Sequence, residues 1–217
     1  MDKGITTYDG LGTWFETRKK AYSIHACRPH LGSKVYNFLE DSHHITDADK
    51  CFVLCGTIGE KWVINLKELQ DTYTFDNGQP IQSEVLYKHL YKWVSGGNGV
   101  STPILDWIKI NTIQNESRKY WALTLPKCIK NYPVITAWGN ILIANREGIG
   151  HGSSDYLVCP DKNGSPNLMN VWVVNGQIFP NTYILPDEDA ANDNTDQKFF
   201  IPKSIILKNG EMMSDFT

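Results

Sequence analysis

The sequence lacks any run of about 18 consecutive apolar residues, so it offers no candidate transmembrane helix. It has no apolar stretch behind Met1-Asp2-Lys3-Gly4. No secretory signal is read there, and residence in the cytoplasm is expected. Asn115-Glu116-Ser117 is then a chance match to a glycosylation acceptor. An excess of basic charge is missing too. Lys and Arg number 21 against 24 Asp and Glu, for a net charge of −3, which argues against nucleic acid as a partner. The best basic cluster, Arg18-Lys19-Lys20 with Arg28 nearby, reads as a solvated face. The cysteines do not come in an even set. Cys27, Cys51, Cys55, Cys128 and Cys159 make five, which argues for reduced thiols rather than a disulfide framework.

What the sequence does have is aromatic residues, seven Trp and ten Tyr, and a pattern that recurs. Phe52-Val53-Leu54-Cys55 matches Tyr156-Leu157-Val158-Cys159. Trp62-Val63-Ile64-Asn65 matches Trp172-Val173-Val174-Asn175. Leu69-Gln70-Asp71-Thr72-Tyr73 matches Phe179-Pro180-Asn181-Thr182-Tyr183. The Trp-to-Tyr spacing is the same in both, and the extra length lies in the turn Pro160–Pro166, where insertion is tolerated. Upstream, Ile24-His25-Ala26 aligns with Ile135-Thr136-Ala137. Such ordered matches predict an α+β protein made of two diverged copies of a small β-rich unit with short helices.

Each copy opens with a strand, near Ala21–Ala26 and Pro133–Trp138. In the first copy a helix is expected next, capped by Ser33 with Val35, Phe38 and Leu39 as its stripe. In the second, Asn140–Asn145 fits a strand better, given Ile141 and Ile143. Hairpins follow, Cys51–Gly56 into Lys61–Asn65 and Asp155–Cys159 into Asn170–Asn175, rich in Val, Ile, Phe and Tyr. A second helix is expected from Ser83, with Val85, Leu86, His89, Leu90 and Trp93 on one face. The Gly-rich segment from Ser95 to Gly99 ends it. The domain reading is therefore residues 1–95 for the first copy, 96–118 for a linker and docking segment, and 119–217 for the second copy. That last part includes an acidic loop over Pro186–Gln197 and a hairpin about Asn209-Gly210.

No constellation compels a reaction. Cys51 and Cys55, with His43-His44 nearby, invite a metal reading. Four residues of strand span roughly 13 Å, too far for two thiolates to share a zinc with bonds of about 2.3 Å, so no metal and no cofactor is assigned. His151-Gly152-Ser153-Ser154-Asp155 gathers histidine, serine and acid without the Gly-x-Ser-x-Gly turn of a nucleophile elbow. Gly148, Gly150 and Gly152 lack the Gly-Lys-Ser/Thr of a phosphate loop. His151, Ser153 and Asp155 stay as the catalytic candidates of an alternative reading, a small hydrolase or transferase.

Copy 1 carries Gly59-Glu60-Lys61-Trp62 and Thr72-Tyr73. Copy 2 carries Tyr132-Pro133-Val134, Ser154-Asp155-Tyr156 and Thr182-Tyr183. These segments, about half the chain, resemble small bacterial and phage proteins described by a Pro-Gly-Asp-Tyr-Gly motif. Copy 1 departs from it with Lys50-Cys51-Phe52 in place of Gly-Asp-Tyr. The resemblance implies an accessory protein of a bacterium or phage and no known reaction. The expected function is a non-enzymatic binding module for a protein partner or a small polar ligand. Its expected binding residues are Trp62, Tyr73, Trp172 and Tyr183 beside a groove between the copies, with Glu60 and Lys61 as a surface ion pair or polar rim.

Overall fold

The computed structural model describes residues 8–29, 34–46, 51–82, 91–95, 101–105, 107–114, 118–148, 153–188, 200, 202, 205–206 and 215–216. In chain order the strands are β1 (Phe15–Thr17), β2 (Ser23–Cys27), β3 (Lys34–Asn37), β4 (Ser42–Ile45), β5 (Cys51–Cys55), β6 (Lys61–Asn65), β7 (Tyr73–Phe75), β8 (Tyr91–Ser95) and β9 (Ser101–Leu105). They continue with β10 (Ile108–Thr112), β11 (Tyr120–Thr124), β12 (Tyr132–Ile135), β13 (Ile141–Ala144), β14 (Tyr156–Pro160), β15 (Trp172–Val174), β16 (Ile205–Ile206) and β17 (Asp215–Phe216). Two short helices, α1 (Leu66–Thr72) and α2 (Phe179–Thr182), complete the described elements. The protein is thus mainly β, in several sheets, and α+β only in the coarse sense that short helices accompany the strands.

The chain forms two compact units. The first comprises residues 1–20 and 114–197, and the second residues 21–113 and 198–217. In the first unit the main sheet has the order β1-β11-β14-β15, antiparallel throughout, with Thr17 opposite Tyr120, Trp121 opposite Cys159 and Val158 opposite Trp172. In the second unit the order is β6-β5-β2-β10-β7, with Leu54 opposite Trp62, His25 opposite Cys55 and Ile110 opposite Ile24. At the end of that row Tyr73 pairs with Thr112, and in the first unit a single bridge joins Tyr183 to Lys19. The segment 96–118 contains β9 and β10, and β10 lies inside the second unit's sheet.

Each of these two sheets has an apolar interior strand. All five residues of β5 are buried, as are Leu157, Val158 and Cys159 of β14, the pattern of a strand covered on both faces. In the second unit Ile24, Phe52, Leu54, Leu69, Tyr73 and Ile110 share one core. In the first, one cluster holds Tyr120, Ala122, Val158, Phe179 and Tyr183. A second cluster holds Leu123, Leu157 and Cys159 with Val134 and Ala144 of the β12–β13 hairpin. Helix α1 starts where the Asn65 side chain accepts the Glu68 N–H at 2.9 Å. Both helices end at a tyrosine whose N–H bonds back to the helix, Tyr73 to the Leu69 carbonyl and Tyr183 to that of Phe179.

Several sequence expectations are corrected. No helix contains Val35. Lys34–Asn37 and Ser42–Ile45 form the antiparallel hairpin β3–β4, and β17 adds to β3 in parallel. The reason is local. Asn37 Oδ1 accepts the Leu39 N–H at 3.1 Å, and Asp41 sits at a φ of 49°, so polar side chains make a turn where a helix would need continuation. Alternating burial along β3 puts Val35 in the core by strand period. Trp93 lies on strand β8 rather than on a helix. The upstream match also fails. Among the described residues β12 pairs only with β13, and β11 is the strand that lies beside β14 as β2 lies beside β5. Ser33, residues 83–90, most of 186–197 and the Asn209-Gly210 turn lie outside the described residues.

Candidate functional site

The first unit's sheet carries an aromatic cluster on one face. Alternation along β1 puts Phe15 and Thr17 on that side, with Lys19 next in the series, while Glu16 and Arg18 go to the other. Tyr120 of β11 stands at its centre. Trp172 and Tyr183 meet it edge-on, at ring-centre distances of 6.1 and 5.8 Å. Phe179 stacks between Tyr156 at 3.8 Å and Tyr183 at 5.0 Å. Tyr120, Phe179 and Tyr183 are buried, whereas Phe15, Tyr156 and Trp172 are half-buried. Helix α2 delivers Phe179 and Tyr183 together. Their spacing is one helical turn, so both rings lie on the same side.

Two cations lean on this cluster. Lys19 Nζ lies 5.8 Å from the Tyr120 ring centre and 6.0 Å from that of Tyr183, and the Arg118 guanidinium lies 5.6 Å from Tyr120. Desolvation, and then the charge of Arg118, lower the Lys19 pKa. The neighbouring cations are neutralised. Glu16 takes Lys119 at 3.0 Å and Arg18 at 4.0 Å, and Glu188 takes Lys20 at 2.7 Å. Lys19 and Arg118 have no carboxylate partner among the described residues.

In the second unit, Trp62 is half-buried against the core and Tyr73 is buried within it. Glu60 and Lys61 do not make a surface ion pair. Glu60 is 6% exposed, and its carboxylate lies in the β5–β6 turn, accepting the Ile58 N–H at 3.0 Å. Burial pushes its pKa up to about 7, against the pull of backbone N–H groups and of Lys61. Gly56 makes room for it, since a Cβ there would come within 1.8 Å of Glu60 Oε1. Lys61 is on β6 opposite Cys55 and half-exposed.

Asp155 is a structural clamp. Its carboxylate accepts the Asn145 N–H at 2.7 Å and the Gly176 N–H at 3.0 Å. Asn145 Oδ1 accepts the Asp155 N–H at 2.8 Å in return, and Asn145 Nδ2 donates to the Pro126 and Ile129 carbonyls. Burial raises the Asp155 pKa while these N–H groups lower it. Ser153 packs where a Cβ on Gly176 would meet it at 2.8 Å, and His151 lies outside the described residues. Cys27, Cys51, Cys55 and Cys159 are buried, and none of them is in a disulfide. Desolvation carries the thiols of Cys55 and Cys159 to about 12, the condition of inert packing groups. His43 lies tilted against Tyr36 with ring centres 5.0 Å apart, and His44 reaches Glu40 at 3.1 Å. No group of three or more metal-ligating side chains occurs among the described residues.

A second surface escaped the sequence reading. The β12–β13 hairpin pairs Ile135 with Ile141 and Pro133 with Ile143 on its outward face. Ile135, Ile141 and the turn residue Trp138 are 54%, 63% and 57% exposed. The inward residues Val134, Thr136 and Ala144 are buried. Apolar residues at both parities of this segment were its signal, since a one-sided strand would alternate with polar residues. Arg118 was missed because its cluster is assembled by strands about a hundred residues apart. Comparison of the chain with family models, with curated proteins and with solved structures gives no match.

Proposed function

We propose that this protein is a non-enzymatic binding module that recognises a protein partner through the outward face of the β12–β13 hairpin. The observation that carries this reading is the exposed set Ile135, Trp138, Ile141 and Ile143 on one hairpin. A contiguous apolar surface of this kind marks an interaction site, whereas single exposed apolar residues need no explanation. Pro133 withdraws a backbone donor from β12, so the partner packs on the hairpin's face instead of adding a strand along its edge. The buried, high-pKa thiols and the structural use of Asp155 speak against the hydrolase or transferase alternative.

The same proposal takes the two units as diverged copies of one scaffold. The matched strand order, Trp62 and Trp172 on corresponding edge strands, and Tyr73 and Tyr183 after corresponding helices support it. In sequence order β1 corresponds to β10, yet β1 pairs with β11 and β10 with β2. Duplication with exchange of this strand accounts for the pairing. An accessory role in a phage or bacterium rests on the motif resemblance. Residence in the cytoplasm is favoured by five cysteines of which none is in a disulfide.

The test substitutes Ile135→Lys with Ile141→Lys. Both side chains are exposed, so the melting temperature is expected to change little. Affinity capture from a bacterial host lysate, quantified against the unsubstituted protein, should lose a stoichiometric partner. A partner retained equally by both proteins rules the hairpin out. So does sedimentation showing that the hairpin mediates only self-association.

A further inference from the structure

We propose that Lys19 and Arg118, on the aromatic face of the first unit, form a binding site for a phosphoryl group. Lys19 bridges Tyr183 just beyond the end of β1, and Arg118 stands two residues ahead of Tyr120, where the β1–β11 ladder ends at Thr17. Two like charges held against the same ring repel each other. Desolvation first, and then the charge of Arg118, lower the Lys19 pKa. Strand neighbours do not show this conflict, because Glu16 answers Arg18 and Lys119, and Glu188 answers Lys20. Acidic side chains are therefore at hand on these elements and are spent on other cations. Alternation along β1 also directs Glu16 to the opposite face of the sheet.

Two cations with no carboxylate partner among the described residues converge on one ring, that of Tyr120, at 5.8 and 5.6 Å. The ring face offers partial compensation to each, but no anion. A monoanionic carboxylate would neutralise only one of them. A phosphate monoester carries about −1.5 to −2 charges at neutral pH with three acceptor oxygens, which suits an arginine fork and a lysine point charge together. Half-buried Trp172, edge-on to Tyr120, supplies flat apolar surface beside the charges for the body of such an ester. This site belongs to the β1–β11 face and does not depend on the hairpin assigned to the protein partner.

The experiment is a titration of the full chain, in chloride buffer of fixed ionic strength, with inorganic phosphate, phenyl phosphate and acetate, read by tryptophan fluorescence and thermal shift. Phosphate and phenyl phosphate should raise the melting temperature by mass action where acetate does not. Tighter binding of phenyl phosphate than of inorganic phosphate would identify an ester as the ligand, and equal binding the free ion. Lys19→Gln and Arg118→Gln should each weaken binding about tenfold, the scale of one charge-assisted hydrogen bond. Each should leave the ligand-free melting temperature unchanged or higher, because a repulsion is removed. If Lys19→Gln fails to fold, Arg118→Gln alone decides, since Arg118 is exposed and precedes β11. The proposal is overturned if phosphate shifts the melting temperature no more than chloride at equal ionic strength. It is overturned equally if the variants bind as tightly as the parent, or if they lose stability without losing affinity.

Discussion

Glu60 shows what a single buried carboxyl does to stability. Its folded pKa lies near 7, against an ordinary value of 4.5, so the folded state holds its proton more tightly than the unfolded chain. The contribution is fully present below about pH 4.5 and declines as pH rises toward 7. Above that the ionised group remains buried, at a cost on the order of 3 kcal/mol. Glu60→Gln, which keeps the shape and an acceptor for the Ile58 N–H, should flatten this slope and stabilise the protein at pH 8. Denaturant melts of both proteins between pH 5 and 8 would show it, and parallel pH profiles would refute it. Glu60 was legible in the sequence as a charged turn residue beside a tryptophan. Its burial was not, because that depends on the space left by Gly56 and on N–H groups gathered by the turn.

Among elements, the central hairpins were readable and the first-copy helix was not. Strands β5, β6, β14 and β15 announce themselves by aliphatic and aromatic runs between turn residues, and their registers follow. The stripe Val35, Phe38, Leu39 mimics helical spacing over so few residues that strand and turn explain it equally. The Asn37 and Asp41 side chains decide between them. Helix α1 was hidden for a related reason, being short and placed in a stretch that the repeat matched without marking as helix. It relies on its cap. Asn65→Ala should cost about 1 kcal/mol by removing the acceptor for the Glu68 N–H. Asn65→Asp should cost far less, as thermal melts of the two variants would reveal.

At the scale of the whole molecule, sequence contiguity and structural unit part company. The N-terminal twenty residues belong with 114–197, and a boundary drawn along the chain cannot express that. Patterns within a segment reveal strands, but the choice of partner for β1 is a long-range packing decision that no local periodicity records. Deleting residues 1–20 should remove the β1 edge from β11 and, with it, Tyr8, Trp14 and Phe15 from the first unit's clusters. Hydrogen exchange should then show protection lost along β11 and β14 and kept along β5 and β2. Loss in both units, or in neither, would contradict this division.

The pairing of Thr17 with Tyr120 also sets a timetable. A ribosome adding about 5–20 residues per second needs roughly 5–20 s to make the hundred or so residues between them. For much of that interval the nascent β1, with its Phe15 and the adjoining Trp14, stands exposed before its mate has been made. The intervening residues 21–113 can assemble much of their own sheet while the first strand waits. Strand β1 is therefore a part of this polypeptide in need of shelter during translation.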